Sequence, residues 1–219
     1  MKNSLFLIFA LSPLIYACNP TGSQQDEDAP AAQGAPEAAT EPRPTQVALL
    51  TAEGFQDAEA FMPLGYLTNH GCEVTVVGMN TGRVKAYNSD FTIEIQKRVA
   101  DVSAAEFDAL VIPGGKAPAK LRESSEVIDF VTAFHRMGQP IAAVCHGPQI
   151  LITAGILEGR NATGVEGIAD ELREADVNYS DEALVIDGHF ITSRVPDDLP
   201  EFVKAIADAV EKQEEKATI

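Results

Sequence analysis

The chain of 219 residues carries 33 acidic against 16 basic side chains, a formal net charge of -17. Such a surface repels a phosphate backbone or an anionic bilayer, so the composition argues against a nucleic-acid partner. Three cysteines, Cys18, Cys72 and Cys145, show neither the paired spacing of a zinc site nor the density of a disulfide scaffold, and no metal-ligand spacing links the histidines, so no metal or other cofactor is expected.

In chain order, residues 1–18, "MKNSLFLIFALSPLIYAC", hold one lysine, an apolar run over 5–15 and a small residue before Cys18. This is a signal-peptide layout, too short for a comfortable bilayer span of about 20 residues. The ending "LIYAC" resembles a bacterial lipobox, which implies cleavage before Cys18 and its lipidation. Residues 19–45 are rich in Pro, Ala, Gln and acids, with no aliphatic residue larger than Ala, and cannot bury enough apolar surface to offset their ordering entropy. They read as a tether. The expectation is a bacterial lipoprotein, extracytoplasmic and held to a membrane by its N-terminal lipid, with a folded domain over 46–212 and a tail over 213–219.

From residue 46 short apolar runs alternate with helical patterns, the signature of an α/β fold with a mostly parallel sheet covered by helices. "VALLTA" (47–52) is a strand followed by a helix over 57–69, and "EVTVVGM" is a second strand. "RVKAY" and "FTIEIQ" form an extended pair around a polar "NSD" turn. "ALVIPGG" (109–115) is a buried strand opening into a glycine turn, followed by a helix over 118–136 that Gly138 ends. "PIAAVC" runs straight into the helix "GPQILITAG". "GIADELREA" leads to the strand "ALVIDGHFITSR" with a turn at His189, and "DDLPEFVKAIADAVEKQ" closes the domain as a helix capped by Asp197 or Asp198. Ligands of such sheets bind beyond the carboxyl ends of the strands, where both "PGG" and "CHG" fall.

Cys145 ends a strand and begins a helix. A thiol attacks only as thiolate, and a helix N-terminus beside a base such as His146 lowers its pKa from about 8.5. The sharp turn lifts the side chain clear of the sheet, as in the serine nucleophile elbow. Gly147 leaves room for a substrate, and the N–H groups of His146 and Gly147, with those of Gly114 and Gly115, make an expected oxyanion hole. The pattern suits attack on a carbonyl carbon. His146 is the natural base, although a capping or interface histidine leaves the same trace in a sequence. Cys72, at the mouth of an apolar strand, reads as a buried inert thiol.

"AAVCHGPQILITAGILEGRNATG" resembles the PfpI-type proteins of the DJ/PfpI superfamily, and so, in order, do "LLTAEGFQDAEA", "FDALVIPGGKAPAKLR" and "VIDGHFITSRVPDDLPEF". The resemblance implies a flavodoxin-like three-layer sandwich, a homo-oligomer, and peptidase, glyoxalase, deglycase or chaperone activity toward a small carbonyl compound or a peptide. There are three departures. The acid that hydrogen-bonds the nucleophilic sulfur is expected after Phe55, where this chain has Gln56; glutamine can contact the thiol but cannot shuttle a proton. The glutamate that follows "GG-x-A-P" is Ala119. An aromatic residue and a proline beyond the cysteine helix are replaced by Val165 and Glu166. Glu53 and Glu166 are the candidates to replace the missing carboxylates, although an acidic residue in a loop is normally just solvated. Two readings follow: a Cys145 nucleophile acting on a carbonyl, or a non-catalytic stress, redox-sensing or chaperone-like module that keeps the thiol and has lost its acid–base groups.

Overall fold

In the computed structural model, which describes residues 43–217, the apolar runs become the inner strands of one sheet. The first half contains β1 (Gln46–Leu50), α1 (Asp57–Asn69), β2 (Glu73–Gly78), β3 (Gly82–Lys85), β4 (Thr92–Ile95), β5 (Lys97–Arg98), β6 (Ala109–Ile112) and α2 (Ala117–Leu121). The second contains α3 (Ser125–Met137), β7 (Ile141–Val144), α4 (Pro148–Thr153), β8 (Asn161–Ala162), α5 (Ala169–Glu174), β9 (Asn178–Tyr179), β10 (Leu184–Asp187), β11 (Phe190–Ser193) and α6 (Leu199–Ala217). The sheet order is β10-β11-β7-β6-β1-β2-β5. Every pairing in it is parallel except β10 with β11.

Side chains alternate between the two faces of a strand, and here both faces are covered. Leu110 and Ile112 of β6 join the cluster that holds Phe130 and Phe134 of α3, while Ala109 and Val111 join Phe202, Val203 and Ile206 of α6. α1 packs beside α6. This is the flavodoxin-like three-layer sandwich. Burial on both faces is why the central strands read as unbroken apolar runs.

The departures from expectation have local causes. The helix expected over 118–136 is two helices: Ser124 Oγ accepts from the Val127 N–H at 3.4 Å and starts α3 afresh. "ALVIDGHFITSR" is a hairpin, β10 and β11, turned at Gly188 and His189. β5, β8 and β9 have two residues each, too few to leave a pattern. α6 runs to Ala217, so the tail expected from 213 is still helical there. Asp198 is engaged by Arg194 at 2.9 Å. The signal peptide, Cys18 and most of the tether lie outside the described residues, but Arg43, at the tether's expected end, grips Asp108 with two bonds of 2.8 and 2.7 Å.

Candidate active site

β1, β6 and β7 lie side by side, so the segments that follow them converge: Phe55 and α1 after β1, Gly114 and Gly115 after β6, Cys145 and His146 after β7. Cys145 has φ 61, left-handed for a residue with a side chain, a strain of about 1–3 kcal/mol. The surrounding backbone imposes it, since Cys145 N–H donates to Ser193 O at 3.1 Å and Cys145 O accepts from Val165 N–H at 3.1 Å. The thiol is buried, and its Sγ lies 3.2 Å from His146 Nδ1. The N–H groups of Gly115 and His146 also point at the sulfur.

The carboxyl group that faces this thiol belongs to Glu59, in the first turn of α1. The residue has no exposed surface, its Oε2 accepts from Gly114 N–H at 2.8 Å, and its buried Oε1 has no hydrogen-bond partner. It bears on Cys145 through a hydrogen-bonding and a coulombic interaction. Burial pushes the Glu59 carboxyl up to about 7, against the Gly114 and Cys145 hydrogen bonds that lower it. The thiol is pushed up to about 12, by burial first and then by the charge of Glu59, with the Gly115 and His146 N–H groups acting the other way. The two groups therefore titrate as a pair. A protonated Glu59 removes the opposing charge and offers an O–H to the sulfur.

This corrects several expectations. Gln56 accepts from Glu59 N–H at 2.7 Å as the N-cap of α1, and the thiol contact expected of it is made by Glu59. The acid is therefore displaced by one helical turn, not absent. Of the four expected oxyanion donors, Gly114 is committed to Glu59 and Gly147 to Val144 O at 2.8 Å, which leaves Gly115 and His146. Gly147 is needed by the turn and not by a substrate, since a Cβ there would lie 2.5 Å from Ile112 O. A Cβ at Gly114 would lie 2.7 Å from Cys145 Cβ and 2.8 Å from Glu59 Oε2, so this glycine admits the pair. α4 has only six residues, and the thiol pKa expected to be lowered at a helix N-terminus is instead raised by burial, the Gly115 and His146 N–H groups opposing that rise without reversing it.

His146 is half-buried, which lowers its pKa, while the charge of Glu171 on α5 opposes the shift. Glu171 is fixed by Arg122 at 2.6 Å and by Gln149 Nε2 at 2.6 Å. It, and neither Glu53 nor Glu166, is the carboxylate felt by His146. Glu53 Oε2 accepts from Lys85 N–H at 2.8 Å, and Glu166 begins a 3-10 turn. Ala119 is exposed on α2. Among the described residues no group of three or more His, Cys, Asp or Glu is placed to hold a metal ion. A groove of about 730 Å³ between α6 and the β10–β11 hairpin includes none of Glu59, Cys145 and His146.

Residues 45–209 match the DJ-1/PfpI family. The chain belongs to that family. A DJ-1/PfpI relative named a deglycase, from Pyrococcus abyssi, is 38% identical over 165 residues, 74% of this chain and 99% of its own. Another, named protein/nucleic acid deglycase 2, from Escherichia coli, is 36% identical over 72% of this chain and 92% of its own. The chain spans about half, 47%, of a two-domain crystal structure from Anabaena variabilis that joins a DJ-1/ThiJ/PfpI-like domain to a ferritin-like one, with 75% of this chain covered, 39% identity and TM-score 0.74. These relatives overturn the expectation of an extracytoplasmic, membrane-tethered lipoprotein. They are archaeal and bacterial proteins named deglycases, matched almost end to end by the DJ-1/PfpI domain.

Proposed function

We propose that the protein is a cysteine-dependent enzyme that acts on carbonyl compounds as a deglycase or glyoxalase, or on peptides, and that the domain over 46–212 carries the activity. The observation that supports this most is a carboxyl group held up to about 7 against a buried, strained thiol. Cys145 is the nucleophile. As its S–C bond to the carbonyl carbon forms, the thiol proton passes to His146 Nδ1, the C=O π pair moves to oxygen, and that oxygen takes a proton from Glu59. The Gly115 and His146 N–H groups beside the sulfur stabilise the charge on oxygen before the proton arrives. His146 then returns a proton to Glu59, and the sum is addition of S–H across C=O. The charge of Glu171 favours the imidazolium that His146 becomes on taking the thiol proton.

The non-catalytic reading rested on two missing carboxylates. Glu59 supplies one, which leaves only Ala119. Its exposed place on α2 suits a side chain that would act across a subunit boundary, and a homo-oligomer remains part of the proposal.

A panel of dicarbonyls and peptides, run on wild type, Cys145→Ser and Glu59→Gln, tests the proposal. Turnover should vanish in Cys145→Ser and fall by about 10²–10⁴ in Glu59→Gln. Equal rates in wild type and Cys145→Ser would overturn it.

A further inference from the structure

Lys116 follows Gly115, whose N–H meets the Cys145 sulfur, and its ammonium lies over the ring of Tyr87, with Nζ 5.7 Å from the centroid. Tyr87 reaches the same place from the loop between β3 and β4, where its N–H donates to Phe55 O at 3.0 Å. Its phenol is half exposed and is raised above its usual range, by burial first and then by the charges of Cys145, Glu59 and Asp57. The two side chains thus stand at the rim of the thiol site.

Several charged groups on the neighbouring elements are engaged. Lys85 pairs with Asp90 at 2.6 Å, Arg83 with Glu94 at 3.9 Å and Arg122 with Glu171 at 2.6 Å. Glu53 holds the Lys85 N–H at 2.8 Å, and Asp57 accepts from Asn88 Nδ2 at 2.9 Å. Among the described residues Lys116 has no ion-pair partner. In a protein of net charge -17 the prevailing field repels anions, and although Glu53 and Asp57 keep their charges, the unpaired Lys116 ammonium gives an anion a local cation to meet at this rim. The aromatic face beneath holds that charge in place.

We infer that Lys116, steadied by Tyr87, selects carbonyl compounds that carry a carboxylate next to the reacting carbon. This deepens the reading of Cys145 as nucleophile and rests on it. The carboxylate sits on Lys116 while the neighbouring carbonyl carbon meets Sγ. The S–C bond forms, the C=O π bond opens, and the thiol proton is balanced by the one that ends on oxygen, so no oxidant or reductant is involved.

Iodoacetate and iodoacetamide offer the same leaving group at the same distance and differ in a carboxylate against an amide. Their second-order rate constants at Cys145, read by mass spectrometry on the full chain, give a ratio that cancels thiol reactivity. That ratio should fall about three- to tenfold in Lys116→Gln, the scale of one exposed charge several ångströms away. It should fall further in Lys116→Glu, recover in Lys116→Arg, and lose its dependence on Lys116 at high salt. A ratio unchanged by Lys116→Gln, with Cys145 still alkylated, overturns the inference alone. Failure of both reagents to label Cys145 overturns the nucleophile reading and this inference with it.

Discussion

Glu59 has no exposed surface, yet its carboxyl gives up its proton only at about 7 against an ordinary 4.5. Between those values the folded chain keeps a proton that the unfolded chain has released. Folding stability therefore falls as pH rises through this window, and the cost is complete above about 7. Glu59→Gln removes the ionisation while its amide oxygen can still accept from Gly114, so it should raise the unfolding free energy by up to about 3 kcal/mol at pH 8 and not at pH 4.5. Denaturant unfolding at the two pH values checks this; equal stability of both proteins at pH 8 would show the carboxyl to be ordinary. The variant should be more stable and less active, as expected where a site is built from a buried acid. Cys145 and its turn were legible because strand, glycine and histidine are contiguous. Glu59 was not, because the resemblance puts the acid directly after Phe55, where Gln56 stands. The signal was present: Glu59 lies on the same buried stripe of α1 as Pro63 and Leu67, where a lone acid calls for a partner.

At the scale of elements, the helix end and the hairpin turn that each carry a histidine meet. His135, in the last turn of α3, places Nδ1 at 3.0 Å from Nε2 of His189 in the β10–β11 turn, with both rings against Phe190. A hydrogen bond between two imidazoles needs one of them neutral. Both are held below the ordinary 6.5, by burial first; the charges of Arg160 and Arg136 add to this for His135, and those of His135 and Arg160 for His189, which Asp187 opposes. Their contribution to stability is complete above about 6.5 and lost as pH falls through the folded values. Amide protection in the β10–β11 turn, corrected for the intrinsic pH dependence of exchange, should therefore weaken as pH falls below 6.5, and His189→Asn should remove that loss; protection insensitive to either change would contradict it. In the sequence His135 is simply a residue near a helix end and His189 one in a strand turn. Their contact spans 54 positions and depends on β11 lying beside β7, which no local pattern announces.

For the whole molecule, the order of strands and helices was legible because burial on both faces leaves continuous apolar runs and glycines mark the turns. What the sequence hid was set by tertiary packing: the break between α2 and α3, the two-residue strands, and the carboxylate of Glu171 brought to His146. The net charge of -17 carries its own expectation, that the protein shows no mobility shift of duplex DNA at about 0.15 M salt; a shift that weakens with added salt would reveal a basic face that the composition conceals. The most direct measurement of the chemistry is the pH dependence of kcat/KM for a dicarbonyl, in wild type and Glu59→Gln, with Cys145→Ser as the blank. Wild type should lose activity as pH rises through about 7, where Glu59 gives up its proton, and that inflection should be missing from the residual rate of Glu59→Gln. A profile that keeps its inflection without Glu59, or turnover that survives in Cys145→Ser, would contradict the pairing of Cys145 with Glu59 as the seat of catalysis.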